Sequence, residues 1–585
     1  MSVTLKQVCC NDSSTPPCTR PGSLTCQKCR MIVYCRKECQ KAHWATHRGD
    51  CNSPYTKQTW QPRWIAENRI PAFIGGPPHR LFGTLKYLWG NVPAIDVAQL
   101  AQNEGVNFQG PIRMLFPASG DMRNAIFSVA SLPLGYRGPL NIVLNDNEID
   151  IVARNVIFLL IFFLEDNPAV AAECVTQVWY SALITEACKS MLRVKIKPLI
   201  EEMCNTSADE PLATTVSKRW QFGVSSLQLV LTRQNWISLL RYLETPLGFT
   251  KDDAQRVRQA VTSAPERTDY VDKALCTMSN SARMGMMKFR EDGILLPFGQ
   301  SRESFTYPNP TMFRSQSEWP MMDSADPTAS WPMKSFLQFN AGPATNDAYG
   351  KLYFYLRDLF VKFHHRLRSL PVTFKLLHLD ARALPTTLAG NRFDRIDVGN
   401  LCDLAYLGTE TTLQIFGPLL QPLSINPYAT LITLFLNAVS DAMLIMKTGP
   451  PPAVFALMFD QLNTLTKVFR FMPKLRRQNT SPTLDIKGVK MLCATSLAHD
   501  MDMYFHFYME VLQLQRKAFR DGLRMKPVHT IIDMWPWRMP QGQPTQETKR
   551  DFALLLSSTH TGQERFVEWK LTPEGPVQGS CCCCS

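Results

Sequence analysis

The stretch from Cys9 to Cys51 crowds thiols at short intervals: Cys26-x2-Cys29, Cys35-x3-Cys39 and His47-x3-Cys51 follow Cys9, Cys10 and Cys18. A segment of about fifty residues with few apolar side chains cannot stabilise itself by burial alone, so metal coordination has to replace the missing core. Zinc takes four nitrogen or sulfur ligands in a tetrahedron, and about eight protein ligands fill two such sites with no position left for water. The pattern therefore points to two structural zinc ions and away from hydrolytic zinc. Disulfides are the competing use of clustered cysteine. The chain begins MSVTLKQVCC, with no apolar run before a cleavage site, so reduced cysteines in the cytoplasm or nucleus are expected.

The chain has 585 residues, 45% of them hydrophobic, enough for about two to four domains around a sizeable core. A formal charge of +13 and a pI near 9.0 allow an acidic partner without requiring one. The longest apolar run, Val156 to Leu164, is too short to cross a bilayer, and Ala429 to Met446 is interrupted by Asn437 and Asp441, so a soluble protein without a transmembrane segment is expected. At the end of the sequence Cys582 and Ser585 frame a formal prenylation box, and S-acylation of Cys581 to Cys584 is the other lipid route. The middle positions are cysteine rather than aliphatic, so an unmodified tail is the expectation.

The body alternates strand and helix signals. Ile112 to Phe116 ends at Ala118-Ser-Gly-Asp121 and is followed by a helical pattern through Leu132; Pro139 to Leu144 ends at Asn145-Asp146, with a buried helix over Ile151 to Leu164. The same grammar returns at Thr373 to Leu379 before Asp380, Phe393 to Val398 before Gly399-Asn400, and Thr430 to Leu436 before Asn437. Strand, turn and helix in repetition predict a parallel α/β sheet with a crevice at the carboxyl ends of its strands. Phe552 to Ser557 and Arg565 to Leu571 flank Thr559-His-Thr-Gly562 and predict a closing β-hairpin. The expected organisation is a finger over 1–55, a linker over 56–84 containing Ile74-Gly-Gly-Pro-Pro78, the first part of the α/β domain over 85–190, a helical insertion over 191–370, the second part over 371–572, and a tail over 573–585.

The string Cys26-Gln-Lys-Cys29, Tyr34-Cys35, Cys39-Gln40, Trp44, His47 and Cys51 resembles the MYND-type zinc finger. The resemblance implies interleaved ligands, with Cys26, Cys29, His47 and Cys51 on one zinc and Cys35 and Cys39 with the first cysteine pair on the other. Family members usually begin with a CxxC. Here Cys10 and Cys18 are separated by NDSSTPP, so Cys10 with Cys18 is the expected pair, and Cys9 is the substitute for Cys10. The resemblance further implies docking of a proline-containing peptide through Gln40 and Trp44, against the plainer reading that Trp44 only packs on the second zinc site. Lys28, Arg30, Arg36, Lys37, Lys41 and Arg48 outnumber Glu38 and Asp50, but thiolate clusters around two dications remain negative and absorb that charge, which argues against nucleic acid as the partner.

Five parallel strands closed by an antiparallel hairpin resemble the methyltransferase-type Rossmann sheet. The blocks Leu88-Trp-Gly-Asn-Val-Pro-Ala-Ile-Asp96, Asn103-Glu-Gly105, Ala118-Ser-Gly-Asp-Met-Arg-Asn124, Val143-Leu-Asn-Asp146 and Ala153-Arg-Asn155 resemble a domain of fungal MYND-finger proteins and dynein axonemal assembly factors. Asp292-Gly-Ile-Leu-Leu-Pro-Phe-Gly299, Asn309-Pro310, Trp319-Pro320 and Phe393-Asp-Arg-Ile396 look like further parts of the same group. An S-adenosylmethionine pocket in such a sheet would draw on Gly120, Asp146 and Asp380. Pro117-Ala-Ser-Gly-Asp121 supplies one glycine where a cluster normally lets the backbone approach the cofactor, so a degenerate, non-catalytic sheet is the expected reading. Asp502 and His506 at i, i+4 beside His499 and Asp500 read as a solvated polar face rather than a metal site. Lys467, Arg470, Lys474, Arg476 and Arg477 around Phe469 and Phe471 read as an exposed loop. Together these features predict a zinc-containing adaptor that docks a partner protein, with an S-adenosylmethionine-dependent methyltransferase targeted by the finger as the alternative.

Overall fold

The computed structural model describes residues 7–12, 16–75, 81–447, 463–473, 484–573 and 575. The cysteine-rich tail with its lipidation motifs, most of Ile74-Gly-Gly-Pro-Pro78, and Lys474, Arg476 and Arg477 lie outside them.

Among the described residues nine strands form one mixed sheet: β1 (Ile112–Phe116), β2 (Leu140–Asp146), β3 (Thr215–Phe222), β4 (Ser225–Thr232), β5 (Val372–His378), β6 (Arg395–Asp397), β7 (Thr430–Phe435), β8 (Leu523–Met525) and β9 (Arg565–Leu571). Their lateral order is β8-β9-β7-β6-β1-β2-β5-β4-β3. The pairs from β7 through β4 are parallel, whereas β9 runs antiparallel to both β7 and β8, and β3 antiparallel to β4. Interior parallel strands are covered on both faces and so carry near-continuous apolar runs, as Thr-Leu-Ile-Thr-Leu-Phe of β7 does with all six residues buried. The pleat sends successive side chains to opposite faces. Met114 and Phe116 of β1 accordingly join one core and Leu115 the other.

The first core centres on the helix Ile149–Leu164, whose residues from Asp150 to Phe163 are all buried, as expected of a helix apolar around its whole circumference. Phe158 stacks on Trp179 at 4.5 Å, and Phe162 meets Phe363 at 4.9 Å, which joins this helix to Pro168–Tyr180 and Ala348–Ser369. The second core, on the other face, is built by Leu384, Leu413, Phe416, Phe505 and Tyr508 with Trp569 of β9. Two of the sequence blocks meet here: the fully buried Arg395 donates to Glu104 at 2.6 Å, and Asp394 accepts from Arg113 N–H and Asn426.

Three departures from the expected organisation shape the fold. The predicted terminal hairpin does not form, because Phe552 to Leu556 belong to the helix Gln546–Leu556, started by a capping box in which Thr545 and Thr548 exchange hydrogen bonds. Its intended partner β9 pairs instead with β7 and β8. The segment expected as a helical insertion also contributes β3 and β4, joined through Gly223, whose φ of +59 suits a tight hairpin turn. The stretch expected as a linker is strapped to the body. Trp64 is fully buried and donates to Leu484 O at 2.7 Å, Arg69 grips Asp269 through both Nη atoms at 2.6 and 2.7 Å, and Asn280 donates to Thr56 O.

Candidate functional site

Short strands at Leu24–Thr25 and Val33–Tyr34 pair as a hairpin and are followed by the helices Lys37–Ala42 and Trp44–Cys51. This frame gathers two groups of ligand atoms, Cys9, Cys18, Cys35 and Cys39 in one and Cys26, Cys29, His47 and Cys51 in the other, each with all atoms within 4.8 Å of one another. In the first, Cys18 Sγ lies 3.7 Å and Cys39 Sγ 3.5 Å from Cys35 Sγ. In the second, Cys26 and Cys51 Sγ are 3.9 Å apart and Cys29 Sγ is 3.6 Å from His47 Nε2. Sulfurs about 2.3 Å from a tetrahedral zinc stand about 3.8 Å from each other, so both groups have the spacing the ion requires. Burial and the neighbouring thiols push Cys35 up to about 12 and burial raises Cys9, whereas Arg20 brings Cys18 down to about 6, so a dication is what would hold all four together as thiolates.

Cys10, the expected partner of Cys18, does not join the first group. Cys9 N–H donates to Arg20 O and Cys10 N–H to Val33 O, so this short extended segment sends its two side chains to opposite sides. Cys9 faces the other ligands, while buried Cys10 receives a contact from Gln300 Nε2 at 3.6 Å. The finger therefore sits on the body. Met284, Phe298 and Ala344 share a buried cluster with Met31, Ile32 and Val33, and Asn346 donates to Cys29 O and Arg30 O, both at 3.0 Å. None of these body residues was singled out from the sequence as touching the finger. The legible signal was the block ending at Gly299, where a Cβ would stand 2.6 Å from Cys10 Sγ.

On the finger helices Gln40 is half-buried, and Trp44 is 41% exposed with its ring edge-on to His47 at 5.8 Å. Trp44 thus touches a ligand of the second site and still presents a large aromatic face to solvent.

At the carboxyl edge of the sheet the expected crevice residues are engaged by the protein itself. Gly120 has φ +52, and its N–H donates to Asp146 at 2.9 Å; the other Asp146 oxygen accepts from Glu148 N–H at 3.0 Å. Burial raises the Asp146 carboxyl above its usual range. Asp380 lies in the adjoining loop, where Arg382 takes it by main chain and guanidinium and holds it down to about 2. Asp121 accepts from Gly90 N–H and pairs with Arg123, and Asp397 accepts from Asn124 and Gly399 N–H. Arg123 lies so close over Gly90 that any side chain there would collide with it, which accounts for the glycine of the Leu88-Trp-Gly-Asn block.

The remaining constellations are structural. Asp502 pairs with Arg565 and Arg538, His499 Nδ1 meets Thr464 Oγ1, and His506 is exposed, so these side chains do not converge. Lys467 to Phe471 belong to a helix rather than a loop, and Phe471 packs on Phe552 at 5.7 Å. Among the described residues no helix is long and apolar enough to cross a membrane.

Comparison with protein families matches residues 9–51 to the MYND finger and residues 88–184 to a domain of unknown function, DUF4470. No curated protein and no solved structure matches the chain. The chain thus carries a MYND zinc finger, commonly a protein-interaction module, with two cysteine-rich sites of zinc-binding geometry on a mixed α/β body.

Proposed function

We propose that this protein is an adaptor whose two zinc ions, held by Cys9, Cys18, Cys35 and Cys39 and by Cys26, Cys29, His47 and Cys51, rigidify a finger that docks a proline-containing peptide on Gln40 and Trp44. The observation that carries the reading is Trp44: an indole left 41% exposed while backed by the metal ligand His47. Exposed aromatic rings on a rigid support are what proline rings pack against, since the PPII ligand loses little entropy on binding. The finger meets the body through residues 8–10 and 29–33, which leaves the helix bearing Trp44 available to a partner. Calorimetric titration of the full chain with a proline-rich peptide library tests this. Binders are expected whose affinity falls at least about tenfold in Trp44→Ala, the loss typical of an interface anchor; identical binding by the variant refutes the groove.

One observation favours a second reading, a methyltransferase targeted by the finger. Without the β3–β4 hairpin, the strands numbered along the chain lie in the order 3-2-1-4-5-7-6 with the seventh antiparallel, an arrangement that resembles the methyltransferase-type Rossmann sheet. Against the cofactor stands the bonding of its expected partners: both oxygens of Asp146 accept main-chain N–H groups and Asp380 is held by Arg382, so each carboxylate has lone pairs committed inside the protein that a ribose or an adenine would have to share. The sheet serves the adaptor as a scaffold, and the same calorimetry with S-adenosylmethionine is expected to give no heat of binding.

A further inference from the structure

The body touches the finger at the backbone of both metal sites. At the first, Gln300 Nε2 donates to Val8 O at 2.8 Å and approaches Cys10 Sγ, so it holds the residues on either side of the ligand Cys9. Gly299 lies against the same segment with no room for a side chain: a Cβ would come within 2.6 Å of Cys10 Sγ and 3.0 Å of Ile32. At the second, Asn346 Nδ2 donates to the carbonyl of the ligand Cys29, and Asn346 N–H donates to Arg30 O. Arg30 ends the turn that brings Cys26 and Cys29 together, and it does so at φ +53. That left-handed conformation is disfavoured in a residue with a side chain, so the turn gains from an external hold.

The two holds are also joined to each other. Asp347, next to Asn346, is fully buried; one carboxylate oxygen accepts from Phe298 N–H at 2.7 Å and the other caps the helix Ala348–Ser369 through Gly350 N–H at 2.8 Å. The loop carrying Phe298, Gly299 and Gln300 and the turn carrying Asn346 therefore form one jaw, and the apolar contacts of Met284, Phe298 and Ala344 with the finger hairpin line it.

We propose that this jaw makes zinc binding and the folding of the body one linked equilibrium: Gly299, Gln300 and Asn346 pre-organise Cys9 and the Cys26–Cys29 turn for metal, and the loaded finger in turn orders the loop 292–302 and the turn 340–350. Cys9 profits from such help, because eight residues separate it from Cys18, the next ligand of its site along the chain, and closing that loop costs chain entropy. Reciprocity is thermodynamically required: whatever the jaw adds to zinc affinity, zinc returns to the stability of the jaw. The inference rests on the zinc reading of the two sites.

The test uses the full chain, loaded with zinc and mixed with a metallochromic chelator. Gln300→Ala with Asn346→Ala is expected to release zinc at least about tenfold faster than the wild type, since each removed hydrogen bond is worth about 1 kcal/mol. Glu303→Gln, an exposed neighbour in the same loop, is the control and keeps the wild-type rate. Gly299→Leu supplies an independent route, wedging the joint without removing a polar contact, and is also expected to accelerate release. Hydrogen exchange on the wild type supplies the reciprocal readout, in which chelation removes protection from 292–302 and 340–350. Wild-type release from the double variant, or exchange in those segments that ignores zinc, overturns the linkage while leaving the zinc sites intact. Purified protein with well under about two equivalents of zinc overturns both.

Discussion

The side chain of Glu568 is buried in β9, where one oxygen accepts from Lys526 at 2.6 Å and the main-chain N–H groups of Thr530, Ile531 and Ile532 converge on the carboxylate. Burial by itself would raise this carboxyl, but the hydrogen bonds from Lys526, Ile532 and Thr530 outweigh it and hold the group below the usual glutamate range. A carboxyl lowered on folding stabilises the native state above its unfolded value, and that stability drains away as pH falls through the folded value, because the unfolded chain then binds the extra proton. Glu568→Gln leaves Lys526 buried without its charge partner and is expected to cost about 3 to 5 kcal/mol in urea unfolding at neutral pH, with a smaller penalty on the acid side. The two cysteine-rich clusters are the counterpart at this scale: seven of the eight residues that come together in them were named from the sequence, since cysteine and histidine at zinc intervals have few other uses. Cys9 and Cys10 are adjacent, and only the extended backbone between Arg20 and Val33 decides which of them faces the metal.

Elements were legible where their signal is local. The apolar runs of β1, β2, β5 and β7 and the helix over Ile149–Leu164 all stand within a few residues of where periodicity puts them. Phe552 to Leu556 misled because a five-residue apolar run fits strand and helix alike, and the capping box at Thr545 decides for helix. The strap from Arg63 to Phe73 was illegible for another reason: proline and polar residues mark the absence of regular structure, not the absence of contacts. Its anchor is Trp64, edge-on to Phe73 at 5.5 Å and clustered with Cys276 and Val489. Trp64→Ala would leave a large cavity and orphan the Leu484 carbonyl, so a loss of about 3 to 5 kcal/mol is expected in chemical denaturation. A free linker would instead tolerate the change with no shift of the midpoint.

At the scale of the whole molecule the lateral order of strands is the property that sequence reading reaches least, because pairing across more than a hundred residues leaves no local trace and is settled by what each strand must cover. β7 shows why β9 has to come back from the end of the chain. All six of its residues are buried, β6 covers one edge, and the other edge is closed by β9 through pairs from Leu431↔Trp569 to Phe435↔Arg565. Trp569 locks that register by donating from Nε1 to Thr433 Oγ1 at 3.0 Å while filling the second core. A chain ended at Arg520 would lose β8 and β9 together and bare an apolar edge that templates aggregation. Such a truncation is expected to partition into the insoluble fraction, although it keeps the whole finger and both strands that flank β1. Recovery of the truncated chain as a soluble monomer with the circular dichroism of the intact sheet would mean that β7 does not depend on β9 for its cover.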